Sequence, residues 1–192
     1  GGFAQVAYLE AALAAAKAGE LDALVTAPIS KTQARAAGLS APGHTELLAE
    51  RLGASEHAMM FAGPRLRVVL ATIHLPLGEV ARRLRPDDVA RAVFLGTQAV
   101  WRDFGIAHPR VGVLGLNPHA GEGGLFGDEE IEIIKPALAE ARAAGIDVAD
   151  PIGADLLIQN KGFDAYVVML HDQDRVPHIA QPRQCFEQAI VV

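Results

Sequence analysis

Apolar residues in this chain change period several times, and each change marks an element. Residues 2–18 are rich in alanine and other good helix formers, which predicts a helix. LDALVTAP (21–28) is a short continuous apolar run stopped by Pro28, the pattern of a buried strand. Residues 30–38 read as a short helix capped by Ser30 and ended by Gly38. Another helix is expected over 43–53, with Thr45 as a candidate cap. AMMFAG (58–63) and LRVVLATIHLP (66–76) read as two strands joined by a turn at Gly63 and Pro64. The helix over 86–104 opens on Pro-Asp-Asp, and Val89, Val93, Val100, Trp101 and Phe104 then recur at helical spacing. RVGVLGLN (110–117) is a strand, a helix follows over about 128–144 and ends at Gly145, and DAYVVML (164–170) is the last clear strand. Strands alternating with helices predict βαβ units, hence an α/β class with partly parallel pairing.

Bulk composition narrows the class. The chain has 192 residues, 51% hydrophobic and 21% charged, which is enough for one sizeable globular core. A net charge of −6 argues against a nucleic-acid partner, because no basic stripe supplies the counterion-release term. A phosphorylated small substrate needs only a local cluster of donors and stays open. Cys185 is the single cysteine, so no internal disulfide forms and a cytoplasmic setting is expected. No signal-peptide pattern is present, and no apolar run approaches the ~18 residues of a membrane span, so no membrane association is expected.

Three histidines stand out by position. His74 closes one apolar strand, His119 lies just past another, and His171 closes a third. Ligands of α/β sheets bind beyond the carboxyl ends of strands. If these strands run parallel, three imidazoles converge on one rim and suit a divalent metal such as zinc or cobalt. The plainer alternative is that each is a polar residue meeting solvent at a strand end. The run GLNPHAGEGGLFGDEE (115–130) also has two readings. Its glycines permit close backbone approach to a ligand, or they serve a strand-to-helix turn. It has neither the spacing of a P-loop nor that of a dinucleotide fingerprint.

TAPISK (26–31), PGHTELLAE (42–50), ATIHLPL (71–77), GLNPHAGEGGLFGDEEIEIIKPAL (115–138), GADLL (153–157) and VVMLHDQ (167–173) occur in this order. Together they resemble the 4-hydroxythreonine-4-phosphate dehydrogenase family of pyridoxal phosphate biosynthesis. The resemblance runs from Gly1 to about Pro177. It implies an α/β fold like that of isocitrate and isopropylmalate dehydrogenases, here partial, with a mixed, partly parallel sheet and flanking helices. It also implies a homodimer with its active site at the subunit interface, NAD or NADP as cofactor, and a divalent metal (zinc, cobalt or magnesium). The family's three metal-binding histidines match His74, His119 and His171. Its substrate-binding His-Thr pair matches His44 and Thr45, and an acidic residue near the substrate matches Asp155. Lys31 matches a lysine to which no role is assigned.

The resemblance also implies more sequence at both ends. Asp174 stands where the family has Gly, Pro177 fits, and Ile179 stands where a substrate-binding Lys is expected. The chain is therefore read as a family-like region over 1–173, a fragment of a two-domain subunit, followed by a divergent tail over 174–192. No residue is assigned to the nicotinamide cofactor. The implied reaction is oxidation of 4-phosphohydroxy-L-threonine at its secondary alcohol, then decarboxylation to 3-amino-2-oxopropyl phosphate. Two alternatives stand beside it. One is a related dehydrogenase for a four-carbon sugar-acid phosphate or an aromatic cis-dihydrodiol carboxylate. The other is a catalytically incomplete remnant that keeps a metal site or a dimer surface.

Overall fold

Helix formers and helix stops shape the first part of the chain. In the computed structural model, which describes residues 1–39, 44–156, 162–169 and 187–191, helix α1 spans Gly2–Lys17, α2 Lys31–Ala36 and α3 His44–Leu52. Ser30 caps α2 as expected, its Oγ accepting from the Gln33 N–H at 3.4 Å. Gly38 stops it at φ 94°, and the Leu39 N–H returns to the Ala34 carbonyl. α3 already includes Thr45, so that residue sits inside the helix and does not cap it.

LDALVTAP does not form a strand. A strand exists only through a pairing partner, and the described elements of this unit, Gly1–Glu56, are α1, α2 and α3. Residues 23–30 are irregular, and Val25 is 98% exposed. An apolar run by itself does not reveal whether a pairing partner exists, and none pairs with these residues among the described ones.

The second unit, His57–Val192, holds the sheet. Its strands are β1 (Ala58–Ala62), β2 (Arg67–Thr72), β3 (Arg110–Val113), β4 (Asp147–Val148), β5 (Ala165–Met169) and β6 (Glu187–Val191). The order across the sheet is β4-β3-β5-β2-β1-β6. β4, β3, β5 and β2 run parallel, while β1 pairs antiparallel with β2 and β6 antiparallel with β1. The expected mixed, mostly parallel α/β sheet is therefore present. β4 is too short to leave a sequence pattern. β6 lies within the segment set apart above as a tail.

Helices α4 (Leu77–Arg83), α5 (Pro86–Arg102) and α6 (Lys135–Ala143) complete this unit. The Pro-Asp-Asp start of α5 works as anticipated. Asp88 reaches back to the Arg85 N–H at 3.0 Å, and Pro86 needs no donor there. Val89, Val93 and Val100 of α5 pack with Ile134 and Leu138 against Val69, Val111, Val113 and Val167. Each such buried side chain contributes about 1.5–3 kcal/mol. Met59, Leu70, Leu114, Tyr166 and Val168 form a second cluster, as strand alternation requires. Trp101 departs from expectation. It is 58% exposed, because the buried stripe runs through Val89, Val93, Gly96 and Val100, and the next residue turns away from it.

The helix expected over 128–144 is interrupted. Glu130–Ile134 form a widened, π-type turn before α6 begins. Pro136 has no N–H to donate to the carbonyl one turn back, so the regular ladder cannot run through this point. Gly145 ends α6 at φ 87°, as its position suggested.

Candidate active site

β3, β5 and β2 are parallel neighbours in that order, so their carboxyl ends share one edge of the sheet. The chain leaves β2 at Thr72 and reaches His74. It leaves β3 at Val113 and reaches His119. β5 ends at Met169 between them; His171 follows it but lies outside the described residues. A parallel bridge from Leu114 to Ile152 and a bond from the Gly115 N–H to the Ile152 carbonyl (2.8 Å) bring a fourth segment to this edge. That segment continues into the short turn Ala154–Leu156, which carries Asp155. The parallel pairing that convergence needed is thus in place at the backbone.

The backbone here is unusual. Among the described residues, the non-glycine positions with positive φ are His74 (56°), His119 (52°), Ala120 (53°) and Glu122 (45°). All four lie just beyond this edge. With Gly121, Gly123 and Gly124, residues 119–124 make one continuous left-handed turn. Such a conformation costs roughly 1–2 kcal/mol for each residue that has a Cβ. Backbone held this way persists only where its surroundings dictate it, and it concentrates at functional sites. Both histidines are exposed, and the His119 ring lies 6.3 Å from that of Phe126, tilted by 55°.

The support for the turn comes from below. Glu130 is only 2% exposed. Its Oε1 accepts from the Asn117 N–H at 2.8 Å, and its Oε2 accepts from Asn117 Nδ2 at 2.9 Å. The same Nδ2 donates to Glu129 Oε2 at 2.6 Å. The glycines close around these carboxylates. A Cβ at Gly121 would lie 2.6 Å from Glu130 Oε2, and one at Gly115 would lie 3.0 Å from Oε1. At Gly127 it would lie 2.6 Å from Glu129 Oε2. Close backbone approach is therefore required, and the group approached belongs to this chain.

Sequence reasoning passed over Glu130, although a signal existed. Glu130, Ile134, Leu138 and Ala141 fall on one helical stripe, and all four are buried. An acid on an apolar stripe has to be answered by donors nearby.

In the first unit, His44 opens α3 and Thr45 is 3% exposed. Burial lowers the His44 pKa below its ordinary value, and the positive charge of Lys31 lowers it further. His44 Nε2 is buried and has no hydrogen-bond partner among the described residues. The imidazole is thus biased to its neutral form.

Among the described residues, no three His, Cys, Asp or Glu side chains gather closely enough to hold a metal ion. His74 and His119 supply two imidazoles to the edge, and the third expected donor is His171.

A mostly parallel sheet with polar residues gathered beyond adjacent carboxyl ends is the architecture of an α/β enzyme subunit. The family model described as "Pyridoxal phosphate biosynthetic protein PdxA" matches residues 1–191, and the chain belongs to that family. A protein of Desulforapulum autotrophicum named 4-hydroxythreonine-4-phosphate dehydrogenase is 46% identical, over 92% of this chain and 53% of its own length. A protein of Cupriavidus necator named D-threonate 4-phosphate dehydrogenase is 45% identical, over 92% of this chain and 54% of its own. The crystal structure of a 4-hydroxythreonine-4-phosphate dehydrogenase from Burkholderia phymatum superposes with a TM-score of 0.78 at 41% identity, covering 88% of this chain and 52% of that one. This chain spans about half the length of the curated relatives it matches. No helix among the described residues is long and apolar enough to cross a membrane.

Proposed function

We propose that this chain forms part of a nicotinamide- and metal-dependent dehydrogenase that oxidises 4-phosphohydroxy-L-threonine at its secondary alcohol. The β-keto acid so formed would lose carbon dioxide to give 3-amino-2-oxopropyl phosphate. The observation that carries the reading is the left-handed backbone at His74 and at 119–122, all beyond one edge of parallel strands, in a chain of this family.

In this reading His74, His119 and His171 hold a divalent metal (zinc, cobalt or magnesium). When bound, such an ion supplies Lewis acidity that eases ionisation of the substrate hydroxyl. NAD or NADP takes the hydride. Asp155 provides a carboxylate suited to accept the hydroxyl proton as hydride leaves the same carbon. His44, biased to its neutral form and with Nε2 unpaired among the described residues, would donate together with Thr45 to the anionic groups of the substrate. A homodimer is supported by Leu125, Phe126 and Ile131, which are exposed apolar side chains around the His119 turn. A cytoplasmic setting is supported by the lone Cys185.

A second substrate is favoured by one observation. The Cupriavidus necator relative, named for D-threonate 4-phosphate, is as similar as those named for hydroxythreonine phosphate. The test has two parts. Zinc and cobalt are titrated by calorimetry into the chain and into His119→Ala; the reading expects binding that the variant loses. NAD and NADP reduction is then followed with the phosphorylated hydroxythreonine, D-threonate 4-phosphate and an aromatic cis-dihydrodiol carboxylate. Equal, weak metal binding by both proteins would sink the metal site. Metal binding without turnover of any substrate would leave a remnant that retains only the site.

A further inference from the structure

We propose that Glu130 is the positioning residue for His119: its buried carboxylate is the template on which the left-handed turn 119–124 is built. Three observations meet on it, and a fourth ties Gly115 to the turn. Glu130 is 2% exposed although acidic, on a stripe otherwise made of Ile134, Leu138 and Ala141. Its two oxygens hold both the main chain and the side chain of Asn117, two residues before His119. Gly115 and Gly121, before and within the turn, press against Oε1 and Oε2 respectively, where a Cβ would lie at 3.0 and 2.6 Å. Gly115 is also packed against Ala120, whose Cα and Cβ would meet an added Cβ at 2.6 and 2.9 Å. The segment therefore closes on the carboxylate from both ends.

The chemistry requires a carboxylate. Glutamate presents two acceptors to two donors of Asn117, and bonds to an ionised group are the stronger kind. Glutamine would turn one acceptor into an NH₂ facing an N–H, leaving a buried donor unsatisfied. Residues 119, 120 and 122 carry a Cβ and each intrinsically favours negative φ, so without Glu130 they relax toward right-handed or extended backbone. His119 then leaves its place beyond β3. Only the consequence for metal affinity rests on the dehydrogenase reading above.

The test uses the full chain and its Glu130→Gln variant, with two readouts. Three-bond amide-to-α-proton couplings and amide shifts across 117–124, measured by NMR, report the backbone of the turn. Calorimetric zinc titration reports the imidazole site. In Glu130→Gln the couplings at 119, 120 and 122 are expected to leave their left-handed values while the signals of α5 stay in place. Zinc affinity is expected to fall about 10–100-fold, the usual effect of removing a group that orients a metal ligand. A folded Glu130→Gln protein that keeps left-handed couplings at these residues overturns the proposal, as does undiminished zinc affinity. If Glu130→Gln does not fold, Glu130→Asp, which keeps the charge but withdraws it from Asn117, is read by the same two criteria. If the unaltered chain binds no zinc, the metal reading fails, and the couplings alone still decide the role of Glu130.

Discussion

Gly121 and Gly123 offer a controlled comparison within one turn. Their backbones are nearly alike, φ 76° and 72°, and both are left-handed. Their surroundings differ. A Cβ at Gly123 would meet nothing within 4 Å, whereas one at Gly121 would lie 2.6 Å from Glu130 Oε2 and 3.0 Å from the Gly127 carbonyl oxygen. Alanine at either site takes on the left-handed penalty, roughly 1–2 kcal/mol. Either substitution also stiffens the unfolded chain, recovering about 0.4–1 kcal/mol. These terms cancel between the two variants. What remains for Gly121→Ala is overpacking against a buried carboxylate and a main-chain carbonyl, about 1–3 kcal/mol. Gly123→Ala should therefore cost between about 0 and about 1.6 kcal/mol, and Gly121→Ala about 1–3 kcal/mol more. Urea unfolding followed by far-UV circular dichroism measures both. If the two variants lose the same stability to within about 0.5 kcal/mol, the Glu130 carboxylate does not press on Gly121 and the packing argument is refuted. Gly121→Ala should cost less in a Glu130→Ala background than in the unaltered chain, because residues in contact couple.

Two further predictions concern other parts of the chain. Gly96→Ala on α5 would place a Cβ 2.9 Å from Val69 Cγ2. The helix-propensity gain of about 1 kcal/mol is outweighed by crowding of a fully buried valine, about 1–3 kcal/mol, so the urea midpoint should fall. An imidazole NMR titration should place His44 below its ordinary 6.5, and Lys31→Ala should move it up by removing a repelling charge. The unfolded state then binds more protons than the folded one below pH 6.5. The His44 contribution is fully present above that value and is lost as pH falls toward the folded-state pKa. A His44 midpoint at or above 6.5 would contradict the burial described for it.

Local physics was legible along the chain. The Pro-Asp-Asp start of α5, the Ser30 cap, the Gly38 and Gly145 stops and the β1–β2 turn all depend on neighbours in sequence, and each occurs where its residues indicated. The family was legible too, because its motifs are contiguous strings. Pairing was not legible in the same way. Periodicity says which face of a strand is apolar but not which strand lies beside it. LDALVTAP therefore read as a strand although nothing pairs with it among the described residues, and Trp101 joined the helical apolar recurrence although it lies off the buried stripe. Three histidines after three apolar runs could be counted in the sequence. Only the parallel order β3-β5-β2 puts the ends of those strands on one edge. The glycine run read either as close approach to a ligand or as turn chemistry; the group it does approach, Glu130, comes from the next helical stretch and is buried by tertiary packing. Backbone preferences and caps act over a few residues and are written locally. Strand order and the burial of one acid are settled by contacts between distant parts of the chain, which only the folded structure supplies.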